Sequence, residues 1–136
     1  MQRGAAAVEF AIVTPVLLLM LFGMIDFGVV MGAQSVVANA AREGARTAAL
    51  GGSTIASENV VRAAISELAG ATNAGTQVTV TCTTAAGAAC NLDDATGDTG
   101  GTVTVRLRYL HTWLSPVVLG FAPTITLTGQ SRMRIE

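Results

Sequence analysis

The 136-residue chain predicts an α+β fold: a long hydrophobic helix at the N-terminus, a short second helix, and a small antiparallel sheet of about three strands. Three observations predict it. From Ala5 to Ala33 the sequence is apolar except for Glu9 and Asp26, the next two segments repeat small or apolar residues at helical spacing, and three later segments alternate with period two. Composition sets the limits: 51% hydrophobic, 12% charged and 4% aromatic residues exclude a disordered chain, and the length leaves room for one small domain. Eight Arg, no Lys and nine acids give a net charge of -1, so the overall balance carries no general attraction for nucleic acid.

As a helix, the stretch from Ala5 to Ala33 would run about 43 Å, more than a bilayer core. Arg3 and the start amine precede it, which places the N-terminus in the cytoplasm and the remainder outside. A cleaved secretory signal, with small residues near Gly32 and Ala33, and a plain single-span anchor are the two simplest readings. Neither explains Glu9. An unpaired carboxylate in hydrocarbon costs a few kcal/mol or more, so an acid kept there marks a functional site and calls for a partner. Gly4 suggests one, because cleavage between Gly4 and Ala5 would create an ammonium at Ala5. On a helix Ala5 and Glu9 are one turn apart, about 6 Å along the axis, so the new amine reaches its own or a neighbouring chain's carboxylate. Pairing between chains requires helices side by side, so cutting would control assembly; in low dielectric the pair specifies register more than it stabilises.

Pro15 removes one backbone donor and crowds the carbonyl of Ala11, which predicts a kink or local loosening eased by Thr14 next to it; a harmless bend and a functional hinge both fit. Asp26 lies about 25 Å along the axis from Glu9 and reads either as a boundary residue among wet headgroups or as a second packing contact. Gly23, Gly28 and Gly32, with a G-x-x-x-G at the last two, admit the close approach of another helix. Beyond Ala33 the helix continues to about Leu50. Val37, Ala40, Ala41, Gly44 and Ala48 make one small-residue face, Asn39, Arg42, Glu43 and Arg46 lie largely opposite, and Gly51 and Gly52 end it.

The segment RGAAAVEFAIVTPVLLLMLFGMIDFG resembles the class III signal and spine helix of type IV pilin-like proteins, whose signature is a cut after glycine and a Glu at the fifth mature position. More narrowly, VEF, TPVLLL, FGMIDFG and then NAAREGARTAAL from Asn39 to Leu50 resemble the TadE-like proteins, pseudopilins of the bacterial tight adherence (Tad/Flp) pilus system. TVTVRLRY from Thr102 and ITLTGQSRMRIE from Ile125 fit the same family. The resemblance implies a prepilin leader 1–4, a transmembrane spine 5–52 and an exported α+β domain 53–136, with Gly4 and Ala5 flanking the cut and Glu9 as the assembly residue. It implies as partners the prepilin peptidase, the major Flp pilin, other TadE/TadF-like pseudopilins, the inner-membrane assembly platform and membrane lipid. It implies no cofactor. The location it implies is the bacterial cytoplasmic membrane, with a single pass, and the pilus or cell surface after assembly. A major pilin is expected to be little more than a helix, so the added domain argues for a minor subunit. The rival reading is a single-span membrane-anchored binding module or adhesin that stays out of the pilus.

In the exported part, a second helix is expected from Thr54 to Ala69, with Val61, Ala64, Ile65 and Leu68 as its buried stripe, Glu58, Arg62, Ser66 and Glu67 on the wet face, and Gly70 as its stop. Strands are expected from Thr76 to Thr83 and from Thr102 to Tyr109, burying Val78, Val80 and Cys82 in the first and Val103, Val105, Leu107 and Tyr109 in the second. A third, from Thr124 to Arg134, changes phase near Gly129, which suits a bulge or break. Such a sheet would cover the outer half of the long helix and the short helix.

A domain of about eighty residues buries little core and needs reinforcement. Outside the cytoplasm Cys82 and Cys90 predict a disulfide rather than a zinc pair, since His111 is the only histidine and is far along the chain. Asp93, Asp94 and Asp98 in the loop from Asn91 to Gly101 offer oxygen ligands for calcium in principle, but the spacing is not that of an EF-hand, and a solvated turn is the simpler reading. The broken apolar segment from Leu110 to Pro123 reads as a loop over the core, with an exposed patch of Trp113, Leu114, Val118 and Phe121 as the alternative. No nucleophile motif or phosphate loop is present, and Glu9 and Asp26 are too far apart to share acid–base work, so no catalysis is expected.

Overall fold

A computed structural model describes residues 3–68, 75–93, 100–113 and 124–135. Helix α1 (Arg3–Ala49) is followed by α2 (Thr54–Ala64), then β1 (Gln77–Thr83), β2 (Ala89–Cys90), β3 (Thr102–Thr112) and β4 (Thr124–Arg134). The strands form one antiparallel sheet in the order β2-β1-β3-β4. The α+β architecture is as expected, with four strands where about three were expected. The extra strand, β2, has two residues and lies opposite the end of β1, a piece too short to show any alternation.

α1 runs unbroken through Pro15. The hydroxyl of Thr14 donates to the carbonyl of Phe10 at 2.7 Å, one residue before the Ala11 carbonyl that proline leaves without its usual donor. The helix ends after Ala49, where Gly51 takes a φ of +86°, a left-handed conformation glycine adopts without a Cβ penalty.

The second helix starts where expected because Ser53 caps it, its side chain accepting from the backbone N–H of Ala56 at 3.1 Å. Asp93 adds a second cap from a distant loop, its carboxylate accepting from the N–H of Thr54 at 3.0 Å. This helix stops at Ala64, a turn earlier than the expected Ala69, and Gly70 lies outside the described residues. Ile65 still reaches the core from the cap position, while Ala64 is exposed and Ser57 takes a buried place with Val61. Burial here follows contact with α1: a Cβ at Gly44 would run into Val61 and lie 3.4 Å from the carbonyl oxygen of Ser57.

β1 and β3 pair in register from Gln77 opposite Arg108 to Thr83 opposite Thr102. β3 runs three residues beyond the expected Tyr109, so Leu110, His111 and Thr112 belong to the sheet; the polar His111 lies on its buried face. β4 pairs with β3 continuously from Thr124 opposite Thr112 to Arg134 opposite Thr102. The expected break at Gly129 is absent. Alternation passes straight through it: Leu127, Gly129, Ser131 and Met133 lie on the side turned to the core. Gly129 merely looks like a change of phase because the helix backbone at Val37 leaves no room there for a side chain.

The core is the space between α1, α2 and one face of the sheet. Val30, Ala33, Val37, Ala40 and Ala45 of α1, Val61 of α2 and Ile65 just after it meet Val105, Leu107 and Tyr109 of β3 and Leu127 of β4. A smaller cluster of Ala48, Ala49 and Val103 closes the far end. The side chain of Gln34 also ties the helix to β4, donating to the carbonyl of Thr128 at 3.1 Å.

Candidate functional site

The functional residues read from the sequence lie mainly on α1, and the structure separates them into an exposed part and a buried part. Among the described residues, every exposed large hydrophobic other than Leu50 and Ile55 lies between Val8 and Met31. Packing against the remainder of the protein begins at Asp26 and Val30. Residues 3–25 therefore project from the fold over about 34 Å, close to the thickness of a bilayer core. By length and composition this helix can cross a membrane.

Gly4 and Ala5 sit in the first turns of α1, with Gly4 exposed, and Glu9 is exposed one turn beyond Ala5. Pro15 is exposed on the same projecting part. At Gly23, Gly28 and Gly32 a Cβ would meet nothing within 4 Å among the described residues. That room is open to a second helix.

Asp26 differs from the residues around it. It is 5% exposed and engaged in an interaction, and it heads the stripe Asp26, Val30, Ala33, Val37, Ala40, Ala41, Gly44 and Ala48 that faces the core. Asp26 is thus buried at the head of this helix face, while Glu9, about 25 Å away along the axis, belongs to the bare spine.

The seat is built by close backbone approach. At Gly129 a Cβ would lie 2.5 Å from the carbonyl oxygen of Val37, and at Gly44 one would run into the side chain of Val61. Sequence reasoning included Gly44 in the small face but missed Gly129 and Ser57 as packing positions. Period two carried across Gly129 is the signal that would have found the first; Ser57, four residues before Val61, shares its helix face.

The disulfide joins Cys82 to Cys90, which are opposite one another in the β1–β2 pair with Cα atoms 5.1 Å apart. The turn between them holds Gly87 at a φ of +85°, its N–H donating to the carbonyl of Thr84 at 2.9 Å. His111 is buried on the inner face, its ring 6.1 Å from that of Tyr109 and 6.4 Å from that of Trp113. Burial pushes the Tyr109 phenol above its ordinary pKa of 10.0. Trp113 packs against the core, as a covering segment would, while Leu114, Val118 and Phe121 lie outside the described residues. Asp93 caps α2; Asp94 and Asp98 likewise lie outside.

Residues 4–46 match the family model described as TadE-like protein. Over that segment the chain is similar to TadE-like proteins. The TadE-like segment takes in Gly4, Ala5, Glu9, the glycines of the projecting helix and most of the small-residue seat up to Arg46. No curated protein and no solved structure matches the chain. The matched segment coincides with the helix that is long and apolar enough to cross a membrane.

Proposed function

We propose that the protein is a minor pilin or pseudopilin of a Tad (Flp) pilus, cut by a prepilin peptidase after Gly4 and taking part in assembly through α1. The observation that carries this reading is the TadE-like match, which begins at Gly4 and includes Glu9 on a helix whose apolar side chains the fold leaves uncovered. A residue such as Phe10, 72% exposed, requires lipid before assembly and neighbouring helices after it. Insertion leaves the N-terminus in the cytoplasm and the sheet outside. Cleavage then gives Ala5 an ammonium that pairs with Glu9 of its own or an adjacent spine, and the open glycines let the spines come close. The role is structural: α1 joins other pilin-like helices, with the assembly platform and the major pilin as the partners this reading implies.

Mass spectrometry of the protein from the membrane fraction tests the reading directly. An N-terminus at Ala5 is expected; an intact Met1 would point to a membrane-anchored binding module outside the pilus, and a start near Ala33 to a secreted protein. In cells, Glu9→Ala is expected to leave membrane insertion intact while entry into the pilus or its assembly complex is lost. Normal entry by that variant would remove Glu9 from the account.

A further inference from the structure

The net charge of -1 conceals a strongly one-sided distribution. The face of the sheet turned away from α1 carries Arg106 and Arg108 on β3 and Arg132 and Arg134 on β4, all exposed, which is half of the eight cations in the chain. The strand register places them in order. On four successive outward rungs of β1, β3 and β4 there is one arginine each, Arg134, Arg132, Arg106 and Arg108; the other eight places are six threonines and two glutamines. No acid stands on these rungs.

Outward rungs repeat every two residues, about 6.7 Å, so the guanidinium bases form a band about 20 Å long that steps from β4 to β3 midway. Like charges on neighbouring rungs of a sheet repel and lower stability, and a face serving solubility alone would mix signs. Two of the four are held in place by neutral neighbours: Arg106 donates to the Gln130 side chain at 3.2 Å, and Arg132 to the Thr104 hydroxyl at 3.4 Å. Each such bond engages one of five N–H donors, so the fork keeps donors for a carboxylate. Arg106, Arg108, Thr128 and Gln130 also line an open depression of about 370 Å³ on this face.

We infer that this face docks an extended acidic segment of a partner protein, with Asp or Glu at alternate positions, along the Arg134–Arg132–Arg106–Arg108 band. The spacing selects this occupant: an extended chain presents same-side residues at the same repeat of about 6.7 Å, so each carboxylate meets one guanidinium without bending the ligand. The four rungs contain no aromatic residue on which nucleobases would stack, which disfavours single-stranded nucleic acid. The inference goes beyond the pilin reading and needs neither cleavage nor assembly of α1.

Fluorescence anisotropy on the full chain in neutral detergent micelles tests it. The probes are a labelled peptide of alternating Glu and Thr long enough to span four rungs, a peptide of the same composition with its Glu in one block, and duplex DNA. The alternating peptide is expected to bind about tenfold tighter than the blocked one, with the difference persisting at physiological ionic strength. Arg106→Glu with Arg132→Glu should lose at least about tenfold in affinity for it. Arg108→Gln with Arg134→Gln, a milder change on the same face, should weaken binding in the same direction, and Arg46→Gln on the helix layer should not. Equal binding of the two peptides, tighter binding of DNA than of the alternating peptide, or unchanged affinity in the correctly folded Arg106 and Arg132 variant would each overturn the inference.

Discussion

Residues 3–25 and residues 26–49 belong to one continuous helix, yet the two parts obey opposite packing rules. The first presents Leu, Ile, Phe and Met side chains outward, with Phe10 at 72% and Leu17 at 63% exposure; the second buries Val37, Ala40, Ala41, Ala45 and Ala48 completely. Hydrophobicity alone would have put the first part inside. Side-chain size explains the difference, because a sheet lies flat against a helix only where the facing residues are short, whereas lipid tails accommodate any bulk. Glycine therefore means different things in the two parts: Gly23 has nothing near it among the described residues, while Gly44 sits against Val61.

Substitution at paired glycines sharpens this contrast most. Gly129→Val drives a branched side chain into the backbone carbonyl of Val37, which cannot rotate away, and should cost about 3 kcal/mol or more in chemical unfolding followed by Trp113 fluorescence. Gly23→Leu should change the stability of the same domain by less than about 0.5 kcal/mol. If the two variants unfolded alike, the division of α1 into a bare spine and a packed seat would be broken.

Next in size is the disulfide. Cys82→Ser with Cys90→Ser opens a loop closed across paired strands and should lower stability by about 2 to 3 kcal/mol, with no effect on the amount of protein held in the membrane. Loss of membrane retention in that variant would mean that the seat and the spine do not act independently. A smaller loss than that of the disulfide is expected at the α2 cap: Ser53→Ala removes the acceptor for the Ala56 N–H and should cost about 1 kcal/mol by the same unfolding measurement, since Asp93 continues to hold the Thr54 N–H.

Local patterns were strong enough to reveal much of this from the sequence. The long apolar run, the small-residue face from Val37 to Ala48, the alternation in β1 and β3, and the pairing of Cys82 with Cys90 are all properties of neighbouring residues, and each corresponds to the structure. Other features depend on residues far apart. Gly129 reads as a break when its neighbours in sequence are considered, and as the centre of a continuous strand once Val37 is placed over it.

By itself, then, the sequence determined the two helices and the three long strands, where the apolar exposed surface lies, and which acid, Glu9, stands within it. Those are set by period, composition and the cost of burying charge, all local quantities. Only the tertiary structure decided that Asp26 heads the packed stripe, that α2 ends early with Ile65 still in the core, and that the arginines of two separate strands line up on one face. Close packing and strand register are relations between distant residues, and no window along the chain contains both partners.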